Sequence, residues 1–590
     1  MTSGLKRRGW ERLAHIALVS IPMAFVALSV LRAWRVAAGA GHYTSCPNCF
    51  WLPTFGHDAW LLAALLGVLA VSYAVPWRWL SLLLKLATGM VLILFAGDVA
   101  LDSLLSQRLY LGDALRFSKH IDADFSVVSA GFHSADGILR VGIVLAMICL
   151  VAGVCLSLKR QPRAARMLAI GAVAATLFSV FALSRPVRYV NQLFTYNVVE
   201  ANLPQGRMKT FSVPFIAGQQ RIADAIPKTC GQSTAFAGNV VIVLVESLSA
   251  WHSRLLGSSY DWTPKLDAMA QENHYFTHFY ANGFTTSMAA VSVLGGQLPL
   301  DPAGQLLLDY SDFSALPGTL PDIAHRSGRQ AAFFTTGDVS FLDLGTWLHH
   351  LDFDVVDGST SPFYAGRKRW QFGAAEDAAL YDRFLDWIDK REDRRPFVST
   401  LLTVSTHPPY VDPRSAKIDP ENAFKYVDLQ IDRFYRALKA RGFFEDGVLL
   451  ILGDHRTMTP LHKEEYRAFG ERSFARVPFM VAGKVDMPAV IDAPFQQTDI
   501  GASIADLLGL EACVSPFAGH FLRADPRPPD YVVHTRGDDR NRVDVYWGDG
   551  GAVAGFRLDG DASTWLGDPP PKAGDVAAWI DSRRHRAPAQ

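Results

Sequence analysis

The sequence predicts an α/β fold: a mostly parallel sheet with helices on both faces, preceded by five membrane-spanning helices and followed by a small antiparallel subdomain. Three observations carry that prediction. Short, wholly apolar runs that end in polar residues alternate with segments of helical spacing between Asn239 and Leu510. Five apolar stretches of about bilayer length crowd the first third of the chain. Residues 526–590 hold short alternating runs separated by a glycine-rich turn.

The 590-residue chain has Lys+Arg and Asp+Glu both at 57, so charge gives no reason to expect a nucleic-acid partner. Hydrophobic residues make up 49% and mean hydropathy is +0.12, high for a wholly soluble chain. The expected spans are Leu13–Leu31, Trp60–Val75, Leu80–Val99, Ile138–Leu158 and Met167–Leu183. Lys6, Arg7, Arg8 and Arg12 precede the first span, and Lys159, Arg160, Arg163 and Arg166 link the last two. Both clusters belong on the inner face, and an odd number of spans then places everything after Leu183 outside. Ala38-Gly-Ala40 could mimic a signal-peptidase site, but four further spans favour an uncleaved anchor. Ser106–Asp136 reads equally as an outer loop or an interfacial helix. The expected domains are therefore 1–184 in the membrane, 185–238 as a juxtamembrane linker with short helices, 239–525 as the α/β domain, and 526–590 as the small antiparallel subdomain and tail.

Six cysteines are too few for a disulfide scaffold. Cys46-Pro-Asn-Cys49 reads as a local disulfide on the outer face, Cys149 and Cys155 as plain apolar positions, and Cys230 and Cys513 could pair.

In the α/β domain, Val240–Val245 is a strand ending at Glu246-Ser247, and Thr263-Pro264 opens a helix. Ala331–Thr335 ends at Gly337-Asp338, and Phe397–Val404 ends at Ser405-Thr406-His407. Ala375–Lys390 and Tyr426–Arg441 have helical spacing. Val448–Leu452 is a strand closed by Gly453-Asp454-His455. Open α/β sheets place their sites at such carboxyl ends. Asp454 and His455 offer one hard oxygen and one nitrogen, half a site for a divalent cation. One polar strand end is an ordinary turn. Four of them (Glu246, Asp338, His407 and Asp454/His455) point to metal or phosphate binding. Between the strands, Asn282-Gly-Phe-Thr-Thr286-Ser287 precedes a helix running through Leu294. A hydroxyl there sits in positive potential that favours phosphate and eases alkoxide formation, although the same residues would also serve as a plain cap.

Toward the end, Tyr531–Arg536, Val543–Trp547 and Ala552–Leu558 read as antiparallel strands, with His534 and Arg536 expected in solvent rather than facing the site. Gly548-Asp-Gly-Gly551 turns between the last two. Pro569-Pro-Pro571 precedes a short helix, and Arg583–Gln590 reads as a frayed tail.

Val-Glu246-Ser247, Gly283-Phe-Thr-Thr286-Ser287, Ser405-Thr-His407-Pro-Pro-Tyr410 and Gly453-Asp454-His455 together resemble the alkaline-phosphatase/sulfatase superfamily. Tyr426-Val-Asp428 and Gln497-Thr-Asp499-Ile500 extend the resemblance to its membrane branch, the lipoteichoic-acid synthases and periplasmic-glucan phosphoglycerol transferases. The resemblance covers roughly Asn239 to Leu510 and implies a sulfatase-like fold. It implies a divalent cation, manganese first with magnesium or zinc as alternatives, held by Glu246, Thr286, Asp454 and His455. It implies Thr286 as nucleophile, preferred over Thr285 by the distance to Pro299-Leu300, and His407, Asp338 and Arg456 as substrate contacts. Two departures stand out. Phe341-Leu-Asp-Leu344 lies where the synthases carry an arginine, and Arg456 lies where many relatives have glycine.

The implied activity is transfer of a phosphoglycerol headgroup from a phospholipid, through a phospho-threonine, to a glycan or polyol. The implied place is the bacterial inner membrane, with the catalytic domain on the periplasmic or extracellular side. Three alternatives remain. Phosphoethanolamine transferases usually continue Gly-Asp-His with Gly-Glu-Ser, whereas Arg456-Thr-Met-Thr follows here. A sulfatase-like ester hydrolase would share the fold, but the Cys/Ser-x-Pro-x-Arg motif of true sulfatases is absent. A non-catalytic pseudoenzyme module is the third.

Overall fold

Long apolar helices and both-face-buried strands divide the chain into two compact units. One comprises Met1–Lys119, Val128–Arg207 and Thr459–Arg467, the other His120–Val127, Met208–Met458 and Ala468–Gln590. The computed structural model describes residues 21–37, 50–105, 108–111, 142, 148, 161–184, 195–203, 212–227, 229–230, 236–300, 318–408, 410–457, 461–510, 513–514, 517–537, 542–548, 552–558 and 560–583.

Among the described residues of the first unit, three helices are long and apolar enough to cross a membrane, rather than the five expected. They are α1 (Trp51–Ala74), α2 (Arg78–Leu105) and α3 (Pro162–Leu183). Of the expected first span, residues 21–37 are helical and the part before them lies outside the described residues. The expected fourth span lies outside them too, apart from two isolated positions. So do Cys46, Cys49, Cys149, Cys155, most of Ser106–Asp136 and the tail beyond Arg583. Helix α1 starts well before Trp60, because Trp51, Leu52 and Phe55 extend its apolar surface beyond the expected span. Among the described residues of this unit, two largely buried ion pairs stand out, the pairing that a low-dielectric setting requires. Arg32 grips Asp58 at 2.6 Å and donates to the carbonyls of Thr195 and Tyr196, and Arg108 pairs with Asp98 at 2.7 Å.

The second unit is built on an eight-stranded sheet. Its strands are β1 (Val240–Val245), β2 (His274–Phe276), β3 (Gln330–Thr335), β4 (Val355–Asp357), β5 (Phe397–Leu402), β6 (Val448–Gly453), β7 (Phe479–Gly483) and β8 (Val490–Ile491). They lie in the order β8-β2-β7-β6-β1-β5-β3-β4. The run from β6 to β4 is parallel, as expected, whereas β7 is antiparallel to both β6 and β2.

Strand β1 shows why this sequence makes a central strand. Val240, Ile242 and Leu244 face one side and Val241, Val243 and Val245 the other, all buried. The first side is covered by α6 (Thr286–Val293) and α9 (Asp499–Leu507), the second by α5 (Pro264–Glu272), α7 (Asp377–Lys390) and α8 (Pro420–Ala440). Before the sheet, α4 (Val213–Ala225) is one of the short linker helices. Helix α8 buries Phe424, Val427, Ile431, Phe434 and Leu438 at helical spacing. It begins at Pro420 rather than Tyr426 because its first turn is polar and carries no apolar period. Asp419 caps that turn by accepting from Asn422 N–H.

A second sheet follows, with β9 (Tyr531–Thr535), β10 (Arg542–Trp547), β11 (Ala552–Arg557) and β12 (Thr564–Leu566) in sequential antiparallel order. Helix α10 (Ala573–Ser582) packs Val576 and Ile580 onto Val533, Val543 and Phe556. The expectation of solvated His534 and Arg536 is overturned, since both are 1% exposed. His534 Nδ1 lies 2.8 Å from the Ala281 carbonyl, and Arg536 pairs with Asp544 and Glu471 beneath the Phe474 ring. Alternation assigned them outward, but this sheet is covered on both faces. A two-residue antiparallel bridge also sets Cys230 opposite Cys513 in register.

Candidate active site

The polar strand ends converge because β1 and β6 are neighbours with Val245 opposite Gly453. That register puts Glu246 beside Asp454 and His455. Glycine is required at 453, since a Cβ there would lie 2.2 Å from the Leu248 carbonyl. Ser247 takes a left-handed conformation, φ 55°, which costs a non-glycine residue about 1 kcal/mol or more. In return its N–H donates to Asp454 Oδ1 at 2.7 Å and its hydroxyl donates to Glu246 Oε1 at 2.7 Å.

Thr286 comes from α6. The turn before it passes so close to the helix that a Cβ on Gly283 would lie 2.5 Å from Met288 Cβ. Thr285 is the helix cap, its hydroxyl accepting from Met288 N–H. Thr286 is the first helical residue, and its hydroxyl donates to Glu246 Oε2 at 3.0 Å, with His455 Nε2 at 3.4 Å. The two threonines thus have different work.

His455 Nδ1 lies 2.8 Å from the Arg456 carbonyl. A proton on Nδ1 makes that bond and leaves the Nε2 lone pair facing Glu246 Oε1 at 3.6 Å and Asp454 Oδ2 at 3.4 Å. Glu246, Asp454 and His455 are all buried, with their ligand atoms within 4.8 Å of one another. Asp454 Oδ2 has no hydrogen-bond partner. Burial and the Glu246 charge push Asp454 well above the usual carboxylate range. Burial opposes a charged His455, but Asp454 and Glu246 outweigh it and raise the imidazole. The cluster is short of positive charge. Bonds of about 2.1 Å to one tetrahedral ion set neighbouring donors roughly 3.4 Å apart, so this donor set fits a divalent cation. Carboxylate and hydroxyl oxygens with one imidazole suit manganese, magnesium or zinc.

A ring of residues supports this cluster, and of them the sequence singles out only Thr406, as part of a motif. Thr403 Oγ1 accepts from Glu246 N–H, and Thr406 Oγ1 donates to the Glu246 carbonyl. Asp377, at the start of α7, accepts from Val404 and Ser405 N–H and holds the loop that carries His407. Asp377 reads in sequence as an ordinary first-turn acid, and only the buried position distinguishes it.

His407 is half-buried with Nδ1 2.8 Å from the Pro408 carbonyl, and desolvation lowers its pKa. Its ring meets Phe372 edge-on at 4.5 Å between centroids. Arg456 is buried and donates to the Thr457 carbonyl. Asp338 stands one loop away. Its carboxylate accepts from Ser340 N–H, its own N–H donates to the Phe372 carbonyl, and no bond among the described residues joins it to the cluster.

The sulfatase family profile matches residues 238–510. In sequence, the chain is 22% identical over 345 residues to "Lipoteichoic acid synthase-like YvgJ" of Bacillus subtilis (strain 168), covering 50% of this chain and 51% of that protein. It is 24% identical over 270 residues to "Phosphoglycerol transferase I" of Escherichia coli (strain 55989 / EAEC), covering 42% of this chain and 34% of that protein. The chain thus spans about half or less of the length of these relatives. In structure it is similar to the integral membrane protein lipooligosaccharide phosphoethanolamine transferase A (EptA) from Neisseria meningitidis, with TM-score 0.50 and 15% identity over 84% of this chain and 95% of that one, a likeness of fold. Residues 238–510, whose strand ends gather these ligand-type side chains, are therefore a sulfatase-family domain.

Proposed function

We propose that this protein is a membrane-anchored, metal-dependent phosphotransferase that moves a phosphoglycerol headgroup from a phospholipid to a glycan or polyol through a phospho-threonine at Thr286. The observation that carries this reading is the Thr286 hydroxyl, poised at a helix start against Glu246 and His455 while its neighbour Thr285 only caps. Sequence similarity to a phosphoglycerol transferase and a lipoteichoic acid synthase-like protein supports the class of reaction.

Glu246, Thr286, Asp454 and His455 would hold the cation, which when bound supplies positive charge that acidifies a nearby hydroxyl and polarises a phosphoryl oxygen. Burial opposes a charged Glu246, but the His455 imidazole beside it outweighs that and holds the carboxyl ionised. Its Oε2 aligns the Thr286 hydroxyl, whose proton passes to water. The free N–H groups at the start of α6 face the incoming phosphate. The Thr286 Oγ–phosphorus bond forms, the phosphorus–oxygen bond to diacylglycerol breaks, and water protonates the departing alkoxide. In the second step His407, kept neutral with Nδ1 on the Pro408 carbonyl, accepts the acceptor hydroxyl's proton at Nε2. That hydroxyl's oxygen bonds to phosphorus and the Thr286 Oγ–phosphorus bond breaks. Water returns a proton to Thr286 Oγ, and the hydroxide so formed takes the proton from His407. Arg456 and Asp338 are assigned to substrate binding, Asp338 acting through the loop that carries Phe372. The Lys/Arg clusters beside the spans support a catalytic domain on the outer face.

Intact-mass analysis of the full chain after incubation with phosphatidylglycerol tests the proposal. The expected result is one phosphoglycerol increment, lost in Thr286→Ala and kept in Thr285→Ala. An increment from phosphatidylethanolamine alone would replace the headgroup assignment. A metal-loaded protein that forms no adduct with either lipid would overturn the transferase reading.

A further inference from the structure

We infer that Gln497 and Asn282 are positioning residues, a buried carboxamide lattice that fixes the Thr286 turn against the strand end carrying Asp454 and makes the C-terminal sheet part of that support. The inference rests on Thr286 as the nucleophile. Gln497 is 0% exposed. Its Nε2 donates to the carbonyls of Gly453 at 3.1 Å and Asp454 at 2.6 Å, and its Oε1 accepts from Asn282 N–H at 3.2 Å. One side chain therefore bonds the backbone of the metal-site strand and the backbone of the nucleophile's turn.

Asn282, also 0% exposed, carries the connection onward. Its Nδ2 donates to Gln496 Oε1 at 2.8 Å and to the Val533 carbonyl at 2.7 Å, while its Oδ1 accepts from Thr498 N–H at 3.0 Å. Its carbonyl accepts from Thr535 N–H at 2.8 Å. Gln496 closes the lattice, donating to the carbonyls of Phe517 and Tyr531 and accepting from Val533 N–H. The turn is thus bonded on one side to the loop before α9 and on the other to β9.

Chemistry argues for a positional role. Burying a carboxamide is unfavourable unless it is hydrogen-bonded, and filling the space would be simpler with an apolar side chain. Here both amide protons and the oxygen of all three carboxamides have partners, and such networks specify one geometry. Reacting groups need placement within about 0.5 Å, and a misplacement of about 1 Å can cost on the order of 100-fold in rate. Gln497 bonds the residue immediately before His455 and the turn that delivers Thr286. Its loss would let the hydroxyl and its ligands drift apart while leaving the substrate contacts at His407 in place.

The test compares the full-length wild type with Gln497→Met, which keeps size and removes the amide, and with Asn282→Asp, which keeps Oδ1 and sets a carboxylate oxygen against the Val533 carbonyl. The expected result is a kcat lower by about 10- to 100-fold with KM for phosphatidylglycerol within about twofold. Hydrogen–deuterium exchange should rise in residues 280–288 and stay unchanged in β1 and β6. Wild-type kcat in a folded Gln497→Met, or a raised KM at unchanged kcat, would overturn the inference. If Gln497→Met fails to fold, the same two outcomes are read from Asn282→Asp. Wild type that forms no adduct defeats the reaction assigned to Thr286. The exchange comparison then decides the lattice by itself, and unchanged protection at 280–288 overturns it.

Discussion

Asp454 is the residue on which the site turns. Its Oδ1 accepts from Ser247 and His455 N–H, yet its Oδ2 is buried without a hydrogen bond, with His455 Nε2 standing 3.4 Å away. That arrangement costs roughly 1–3 kcal/mol unless a donor or a cation takes the oxygen. Glu246 and His455 face the same point. We therefore expect about one divalent ion per chain, counted by inductively coupled plasma mass spectrometry, and loss of that ion in Asp454→Asn and Glu246→Ala. Stoichiometric metal surviving both substitutions would place the site elsewhere. At this scale the sequence marked Glu246, Asp454 and His455, which end apolar runs and which the fold gathers. It marked Asp338 by the same signal, although no bond among the described residues joins it to them. Thr286 was preferred over Thr285 only through the resemblance and its distance to Pro299-Leu300, because the residues themselves do not say which hydroxyl turns toward Met288 N–H and which toward Glu246. Gln497 and Asn282 stand inside motifs that the sequence picks out, but their bonding was hidden, since nothing local tells a buried carboxamide from a solvated one.

At the scale of the element, helix α5 lacks a cap of its own, and Thr263 makes no capping bond. Asp428, on α8, supplies it by accepting from Lys265 N–H at 3.1 Å and Leu266 N–H at 2.8 Å. Burial nonetheless pushes Asp428 up to about 6, above its ordinary 3.8. A carboxyl whose folded pKa is raised binds its proton more tightly in the fold. Its contribution to stability is therefore full below about 3.8 and lost as pH rises through about 6. Asp428→Asn cannot ionise. Thermal unfolding of both proteins should show the wild type losing at most about 3 kcal/mol relative to the variant between pH 4 and pH 7. A pH-independent difference would contradict the assignment. A second test belongs to the end of β6. Gly453→Ala must move the Leu248 carbonyl, which lies 2.2 Å from the added Cβ. The expected outcome is a loss of bound metal and of at least about 1–3 kcal/mol of stability. Strands β1, β3, β5 and β6 followed from the sequence closely, because their burial on both faces leaves an unbroken apolar run. Strands β2, β4 and β8 were not expected, because two or three residues carry no pattern. Strand β7 was not among the expected strands either, and its antiparallel direction could not have been read, since pairing direction is set by the connection rather than by composition.

For the whole molecule, the decisive quantity is the side of the membrane that the sulfatase-family domain occupies. On the proposed orientation, the Lys/Arg clusters at residues 6–12 and 159–166 would stay inside and the chain after Leu183 would lie outside. An independent handle comes from Cys230 and Cys513, which the backbone sets opposite one another across two short antiparallel strands. Directly opposed residues in such a pair have Cα atoms about 4.5–5.5 Å apart, inside the range a disulfide spans. The bond would persist only in an oxidising compartment. Sequence could name the two cysteines but not their register, because they are separated by the entire central sheet. We expect Cys230 and Cys513 to resist maleimide labelling in unfolded, unreduced protein taken from cells and to label after reduction, whereas Cys230→Ser should expose Cys513 without reduction. Phosphatase-type reporters should be active when fused after Ser184 and inactive when fused after Arg160. Inactive reporters after Ser184, together with two free thiols, would put the domain in the cytoplasm and remove the lipid-headgroup reaction with it. Active reporters with free thiols would keep the topology and refute only the disulfide.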